Sequence, residues 1–580
     1  MWDDVREAAE RVLNSQGKPV SSHFLGTVVL DQAPNPTYSL PRREVIDGQQ
    51  RLTTLQLVLK AAEHAVDELR EPAEGDEDAT RAVDIASRQI APLTSNPAYA
   101  DEEERYKVWP TNEDRSAFRD VMDATLAAGP VHTHTRMALA YRFFRDEFRA
   151  WLMIGHYGQR AMALASALKD HLKLIVLDLD PTDEPQAIFE TLNAHGTPLL
   201  PADLIKNWLL WEGTRQELAT DKLYVSFWQP FDRDIDHWRA LSGLGHAARA
   251  RVDTFLANWL TRQTVEAVSA KHLYDRFLSF AREAAPRGED GKLAVAALME
   301  DIARDAERFR EIEQPQGTSR FHTFLCRLSV LDIVVFQPLL LELMGRAGTD
   351  QDDRDRAGLV LESYLVRRVV CGYQTRGYST LALSLLDRLK ALPKGEPATP
   401  ALIAALESAT GSDCWPSDDV FRAEWCRRKF YGTLRRSRVL MILQAIEEHY
   451  QRESIKSEPV LTFNFDQLEV EHILPQAWEA QWPLDESVTS SEDRNWRLHG
   501  IGNLTLVSGS LNKDLKNGPW YAVEGKPSKR AGLQAHSKLE LNARLLNDYA
   551  GGWHEAAMKS RAERLFEAAR LIWPAPHNIA

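Results

Sequence analysis

Leu468-Glu469-Val470-Glu471-His472-Ile473-Leu474-Pro475-Gln476 alternates on the two-residue period of a strand and sets an acid and a histidine side by side before a proline-marked turn. Downstream, Ile501-Gly502-Asn503-Leu504-Thr505-Leu506-Val507 predicts a second strand entered by a glycine. After Ser508 to Leu511, the run Asn512-Lys513-Asp514-Leu515-Lys516 suits the start of a helix. The order is strand, loop, strand, helix.

That is the order a ββα-metal nuclease requires, and the residues it carries suit phosphodiester hydrolysis. The reaction needs a water activated near neutral pH and a cation that stabilises the leaving oxygen and the charge building on phosphorus. Histidine, with an unperturbed pKa around 6.5, suits the first task, so His472 is the expected general base. A hard cation such as Mg²⁺ favours oxygen ligands and keeps several waters, which makes Glu471 and Asn512 the expected metal ligands. Asn503 completes the catalytic set by hydrogen-bonding loop backbone and holding the base-bearing strand in register. Lys513 and Lys516 are expected phosphate contacts. A lone Glu-His pair on a strand is more often a surface pair; the two asparagines at these spacings select the catalytic reading. His132 and His134 read as solvated loop residues, and His499 as a half-buried strand residue near the site.

Charge supports a nucleic-acid partner locally, although the 580-residue chain carries a net charge of -14. Phe421 to Arg438 holds seven Lys or Arg against one acid, and Arg494 to Arg530 holds seven against two. Neutralising phosphates provides most nonspecific affinity for nucleic acid. Arg435, Arg436 and Arg438 are therefore expected on a DNA path, against the plain alternative of a solvated basic helix.

The runs VEHILPQ and GNLTLVSGSLNKDLKN resemble the HNH nuclease domain of the GmrSD family of type IV, modification-dependent restriction endonucleases, over about Phe421 to Ala580. The resemblance implies the same roles for Glu471, His472, Asn503 and Asn512, in that order. Many HNH sites have Asp or His where this chain has Glu471.

The front of the chain carries a second cluster, Val45-Ile46-Asp47-Gly48-Gln49-Gln50-Arg51-Leu52-Thr53-Thr54-Leu55. A strand ends at Asp-Gly and a helix begins at once, leaving first-turn N–H groups free for an anion. Arg51 suits a phosphate, Gln49 and Gln50 add neutral hydrogen bonds, and Asp47 suits a cation or a helix cap. DGQQRLTTL together with Phe189 to Asn207 (FETLNAHGTPLLPADLIKN) resembles the ParB-like nucleotide-binding domain that accompanies the nuclease in the same family, over about Met1 to Leu210. The resemblance implies binding of a nucleoside triphosphate at Asp47, Gly48, Gln49, Gln50 and Arg51, and control of cutting. It also implies an aromatic and basic segment of the type IPxYQRxYxW ahead of Trp2, which this sequence does not contain, and an arginine where His195 stands.

Elsewhere, strands are predicted at His23 to Asp31, Arg43 to Ile46 and Leu172 to Leu179, the last as a buried strand, with helical spacing at Gln49 to Arg70 and Met137 to Leu152. From about Asp203 to Val420 the pattern is almost wholly helical, including Val252 to Leu260, Leu293 to Phe309 and Leu328 to Met344. With 44% hydrophobic and 27% charged residues, the composition is that of a globular protein. Cys326, Cys371, Cys414 and Cys426 form no C-x-x-C pair and read as reduced, mostly buried thiols. No membrane-length apolar run and no signal region stand in the sequence, so a cytoplasmic location is expected.

The expected fold class is α+β, mostly helical: a ParB-like α/β domain at 1–210, a helical connector at 211–420 and a ββα-metal (HNH) domain at 421–580. The expected function is a metal-dependent DNA endonuclease of phage defence that cuts modified foreign DNA under control of a nucleoside triphosphate. The alternatives are a phosphorothioation-sensing, NTPase-coupled nickase and a nucleotide-dependent switch with an inactive nuclease. The expected cofactors are Mg²⁺ or another divalent cation and a nucleoside triphosphate. DNA is the expected partner, a membrane is not, and self-association into a homo-oligomer is left open.

Overall fold

The computed structural model describes the chain except residues 16–17, 33–39, 72, 74, 97–98, 100–102, 111–113, 180–199, 243–247, 455–466, 480–481, 485–488, 516, 524–527 and 580. Lys516 and His195, with the rest of the Phe189 to Leu199 cluster, lie outside the described residues. The fold is α+β and mostly helical, in two compact units, Met1–Pro198 and Leu199–Ala580.

In the first unit, β1 (His23–Gln32) pairs antiparallel with β2 (Arg43–Asp47) and parallel with β3 (Leu172–Leu179), in the order β2-β1-β3. A parallel pair needs a long crossover, and helices fill it. α1 (Trp2–Leu13) precedes the sheet. α2 (Gln49–Asp67), α3 (Glu77–Ile90), α4 (Arg115–Met122), α5 (Arg136–Leu152) and α6 (Tyr157–Ser166) follow β2 and bury Val58, Ala62, Phe118, Tyr141 and Phe148 among them. β3 departs from the buried strand expected. It lies at the sheet edge, pairs among the described residues with β1 alone, and leaves Ile175, Val176 and Leu177 exposed. Helix α2 can begin directly after β2 because Gly48, at φ +93°, turns the chain through the left-handed region.

The second unit opens with α7 (Pro201–Arg215), continues through α8 (Arg251–Thr264), α9 (Leu273–Glu283) and α10 (Val295–Glu313), and centres on a helix buried all round, Gln351–Cys371. The run Leu328 to Met344, read as one helical stretch, is two helices. α11 (Arg320–Leu331) ends where Asp332 adopts φ +60°, and α12 (Gln337–Gly345) restarts with Pro338 in its first turn. The central helix, α13, carries charges into the core, and each finds a partner. Glu362 accepts from Arg320 at 2.6 Å, Arg327 at 2.7 Å and the Trp573 indole at 2.7 Å. Arg367 donates to the Trp573 carbonyl at 2.8 Å and to Asp418 at 2.6 Å. These bonds tie the C-terminal residues to the middle of the helical array, and one apolar core runs from Ala202 to Ile579. Residues expected of the connector and of the C-terminal domain both contribute to it.

Further along come α14 (Tyr378–Ala391), α15 (Ala398–Glu407), α16 (Asp418–Arg427) and α17 (Arg436–Ser454). The alternating run around Glu471 and His472 then forms an antiparallel hairpin of β4 (Leu468–His472) and β5 (Leu504–Ser508), with Glu471 opposite Thr505 and His472 opposite Leu504. Between the strands lies α18 (Ser491–Leu498), and α19 (Gly509–Leu515) follows β5. β5 starts three residues later than predicted, because Ile501–Asn503 is a tight turn pressed against the C-terminal helix. A Cβ on Gly502 would lie 2.1 Å from the Met558 carbonyl oxygen. Helix α19 begins at Gly509 rather than at Asn512. After it come α20 (Lys529–His536), α21 (Glu540–Asp548) and α22 (Glu555–Ile572).

The hairpin sits between two cores. Val470, Leu504 and Leu506 join the large one, while Ile473, Leu474, Val507 and Leu511 join a smaller one with Trp478, Trp482, Trp520 and Trp553. Among the thiols only Cys371 is buried; Cys326 is exposed, and Cys414 and Cys426 are half-buried. Among the described residues no helix is long and apolar enough to cross a membrane. Gly502→Ala should cost about 1–3 kcal/mol through overpacking, read as a lower urea midpoint. An unchanged midpoint would contradict the close approach at Met558.

Candidate active site

Asn503 has no exposed surface, and its side chain is fully engaged. Its Oδ1 accepts from the Leu474 N–H at 2.8 Å and the Trp553 indole at 3.0 Å. Its Nδ2 donates to the Leu474 and Leu498 carbonyls, both at 2.9 Å. The Asn503 carbonyl also accepts from the Ile473 N–H at 2.9 Å. The asparagine thus closes the turn that leaves β4 onto the turn that enters β5. No atom of it faces solvent.

That turn fixes the end of β4. His472, 5% exposed, turns its ring towards the side that carries Val470. Its Nε2 lies 3.2 Å from Nδ1 of His499, and its ring meets Tyr431 edge-on at 4.6 Å. His499 is half-buried, caps α18 rather than lying in a strand, and stacks on Tyr431. Burial, and after it the neighbouring His499 and Lys529, push the His472 pKa down to about 3. The ring therefore favours its neutral form more strongly than an ordinary histidine does. Burial also lowers the pKa of His499, with Lys429 adding to the effect.

Strand alternation puts Glu469 and Glu471 on the other face of β4. Glu471 is paired with Lys529, whose ammonium, 1% exposed, reaches its carboxylate at 2.5 Å and the His472 carbonyl at 2.6 Å. Burial holds the Lys529 pKa below its usual value, against the pull of Glu471. Asn512, on α19, donates through Nδ2 to Glu469 at 2.7 Å, and Arg436 lies 3.6 Å from the same carboxylate. Among the described residues no hydrogen bond or ion pair joins His472 to Glu471 or to Asn512. The structure thus brings Glu471 together with Lys529, Asn512 with Glu469, and His472 with His499 and Tyr431. Sequence reasoning missed Lys529, Glu469, His499 and Tyr431 as members of this set.

Among the basic residues, Arg435 and Arg436 are exposed, with Arg435 paired to Asp332 at 2.8 Å, and Lys513 is exposed on α19. Arg438 turns inward and donates to the Leu331 carbonyl. Trp496 on α18 is 48% exposed, and the Lys429 ammonium stands 4.5 Å from its ring. In the first unit, Gln49 and Gln50 are exposed at the start of α2, and no side chain caps that helix. Gln49 donates to the Val45 carbonyl at 2.9 Å, and Arg51 donates to the Thr27 carbonyl. Asp47 and Gly48 are half-buried.

The depressed pKa of His472 has a sign that can be tested. An unfolded histidine titrates near 6.5, so between that value and about 3 the unfolded chain binds more protons than the folded one. Stability contributed by neutral His472 is complete above the unfolded pKa and is lost as pH falls. Between pH 6.5 and 5 the loss should be on the order of 1–2 kcal/mol, and His472→Gln should show a shallower loss by urea unfolding. Equal slopes for both chains would contradict the buried, neutral ring.

Two family models match the chain. That of the GmrSD restriction endonuclease N-terminal domain covers residues 1–210, and that of the GmrSD restriction endonucleases C-terminal domain covers residues 415–568, which takes in the whole hairpin. No curated protein matches it. With both domains present in one chain, and together covering most of it, this protein belongs to the GmrSD family of restriction endonucleases.

Proposed function

We propose that the hairpin and α19 form an HNH-type, metal-dependent site that cuts modified foreign DNA under control of a nucleoside triphosphate bound by the N-terminal unit. The observation that carries this reading is the loop pinned by Asn503. It sets an acid and a histidine at the end of one strand, and the return strand leads straight into a helix bearing Asn512. A restriction endonuclease of phage defence has DNA as its substrate, so the chemistry required is phosphodiester hydrolysis.

Each residue has a physical part in that chemistry. His472 is neutral and has a ring nitrogen able to take a proton. A phosphate brought beside it would raise its pKa from the depressed value towards neutrality, because an anion favours the protonated ring. His499, at 3.2 Å and half-buried, links the buried ring towards solvent. Lys529 holds the Glu471 carboxylate and the His472 carbonyl together, so the acid keeps a fixed relation to the backbone that carries His472.

Glu471 and Asn512 would hold a divalent cation. Among the described residues no group of three or more His, Cys, Asp or Glu side chains converges as a ready-made cage. Yet Glu471 and Asn512 each keep one oxygen without a hydrogen-bond partner there, and such oxygens suit a hard cation that retains its waters. The bound cation would supply charge stabilisation at phosphorus and at the leaving oxygen.

Arg435, Arg436 and Lys513 supply exposed positive charge for the backbone of DNA, and Trp496 offers a face on which a base can stack. Control by nucleotide rests on the uncapped start of α2 at Asp47 to Arg51 together with the N-terminal family match.

The test is digestion of matched unmodified, hydroxymethylated, glucosylated and phosphorothioated DNA with Mg²⁺, with and without each nucleoside triphosphate. Cleavage confined to a modified substrate and dependent on nucleotide is expected. His472→Ala should lower the rate by about 10² to 10⁴ while DNA binding persists, and full cleavage by that variant would overturn the site. Replacing Arg435 and Arg436 with Ala should reduce the slope of log affinity against log salt by roughly 0.9 for each phosphate no longer neutralised. An unchanged slope would return both to the solvated surface.

A further inference from the structure

Beside the turn that Asn503 closes, α16, α18 and α22 frame a cavity of about 280 Å³. Trp496 and Met558 give it apolar walls, and Arg427, Arg497, Lys559 and Asp493 give it polar ones. Trp496 is 48% exposed, so its ring is within reach of a ligand. Its indole N–H is already bonded to the Arg427 carbonyl at 2.9 Å, which leaves the flat of the ring as the part on offer. The Lys429 ammonium stands over one face of that ring at 4.5 Å, and Lys429 is not among the cavity walls.

The acids of this neighbourhood are matched. Asp493 pairs with Arg497, Glu424 with Arg427 and Glu563 with Arg422, each at 2.8 Å. Among the described residues Lys429 and Lys559 form no ion pair, and Lys559 is exposed. A protein partner would have to bring acids for these ammonium groups and an apolar side chain for the ring. A nucleotide brings both, a phosphate and a base. The place is also close to the proposed cutting residues. Trp496 stands on the short helix that ends at His499, and Phe430, next to Lys429, donates to the His499 carbonyl at 2.8 Å. Nδ1 of His499 is in turn 3.2 Å from Nε2 of His472.

We infer that this cavity receives one base turned out of the duplex, stacked on the Trp496 ring away from Lys429, while Lys429 holds a neighbouring phosphate. Inside a duplex both faces of a base are covered by its neighbours, so only a base that has left the stack can lie on the indole. The volume lies just below the range of roughly 300–1,000 Å³ that takes drug-sized ligands, which suits a single base. The inference rests on the reading that the hairpin cuts DNA, and it adds the form in which the strand is presented, unstacked beside the cut.

The test is the affinity of the full chain, by fluorescence anisotropy in EDTA, for a duplex carrying one unpaired thymidine and for the same duplex with an abasic residue at that position. The thymidine duplex should bind about 5- to 100-fold more tightly, the worth of one base stacked on an aromatic ring. Trp496→Ala should bind the two duplexes alike, and Trp496→Phe, which keeps a ring, should retain most of the difference. Lys429→Gln should lower the slope of log affinity against log salt by roughly 0.7 to 0.9. Because EDTA removes any divalent cation, the readout is binding alone; full cleavage by His472→Ala would remove the catalytic reading and leave this comparison unmoved. Equal affinity of the unmutated chain for the two duplexes would overturn the inference, as would a difference that survives intact in Trp496→Ala. An unchanged salt slope in Lys429→Gln would overturn the phosphate contact.

Discussion

The side chain of Asn503 makes four hydrogen bonds in a place where water cannot replace any of them. A buried amide left with unmade bonds costs the full desolvation of each group, so the network is held in one arrangement. Because two of those bonds go to Leu474 and one to Leu498, the loop after β4 cannot drift from the turn before β5. Glu471 and His472 lie immediately before that loop, and their positions follow from it.

The rest of the second unit supports this knot. Gly502 lets the turn lie against the Met558 carbonyl, Arg561 grips the carbonyls on either side of Asn503, and Trp553 reaches its Oδ1 from the segment before α22. The C-terminal residues are in turn anchored to the central helix by Arg367 and Glu362. The hairpin is therefore fastened to a large core, as the proposed function requires of elements that place reacting groups. Lys529 adds the last constraint, joining an acid on one face of β4 to the backbone of the histidine on the other.

Much of this was legible in the sequence where a local period carried it. The alternation of LEVEH and LTLV gave the hairpin, and the spacing of Glu471, His472, Asn503 and Asn512 gave the candidate set. Partners supplied from a distance were not legible. Lys529 is one basic residue in a basic stretch, and nothing local separates it from Lys513. His499 and Tyr431 meet His472 only because the chain folds two remote segments together. Glu469 did carry a signal, since it lies two residues before Glu471 and so shares its face. The apolar pattern of Leu172 to Leu179 reports composition and not neighbours, so it could not show that β3 is an exposed edge. Likewise, a single left-handed residue, Asp332, divides a helical run whose periodicity reads as continuous.

In the proposed function Asn503 acts through position rather than by touching substrate. The direct measurement is the single-turnover DNA cleavage rate of Asn503→Ala, taken with the circular dichroism spectrum and the DNA affinity of the same chain. The expected outcome is a chain that keeps its helices and its grip on DNA but cleaves about 10²-fold or more slowly, as a base moved out of place would. A folded Asn503→Ala chain that cleaves at the full rate would show that the buried knot does not set the catalytic geometry.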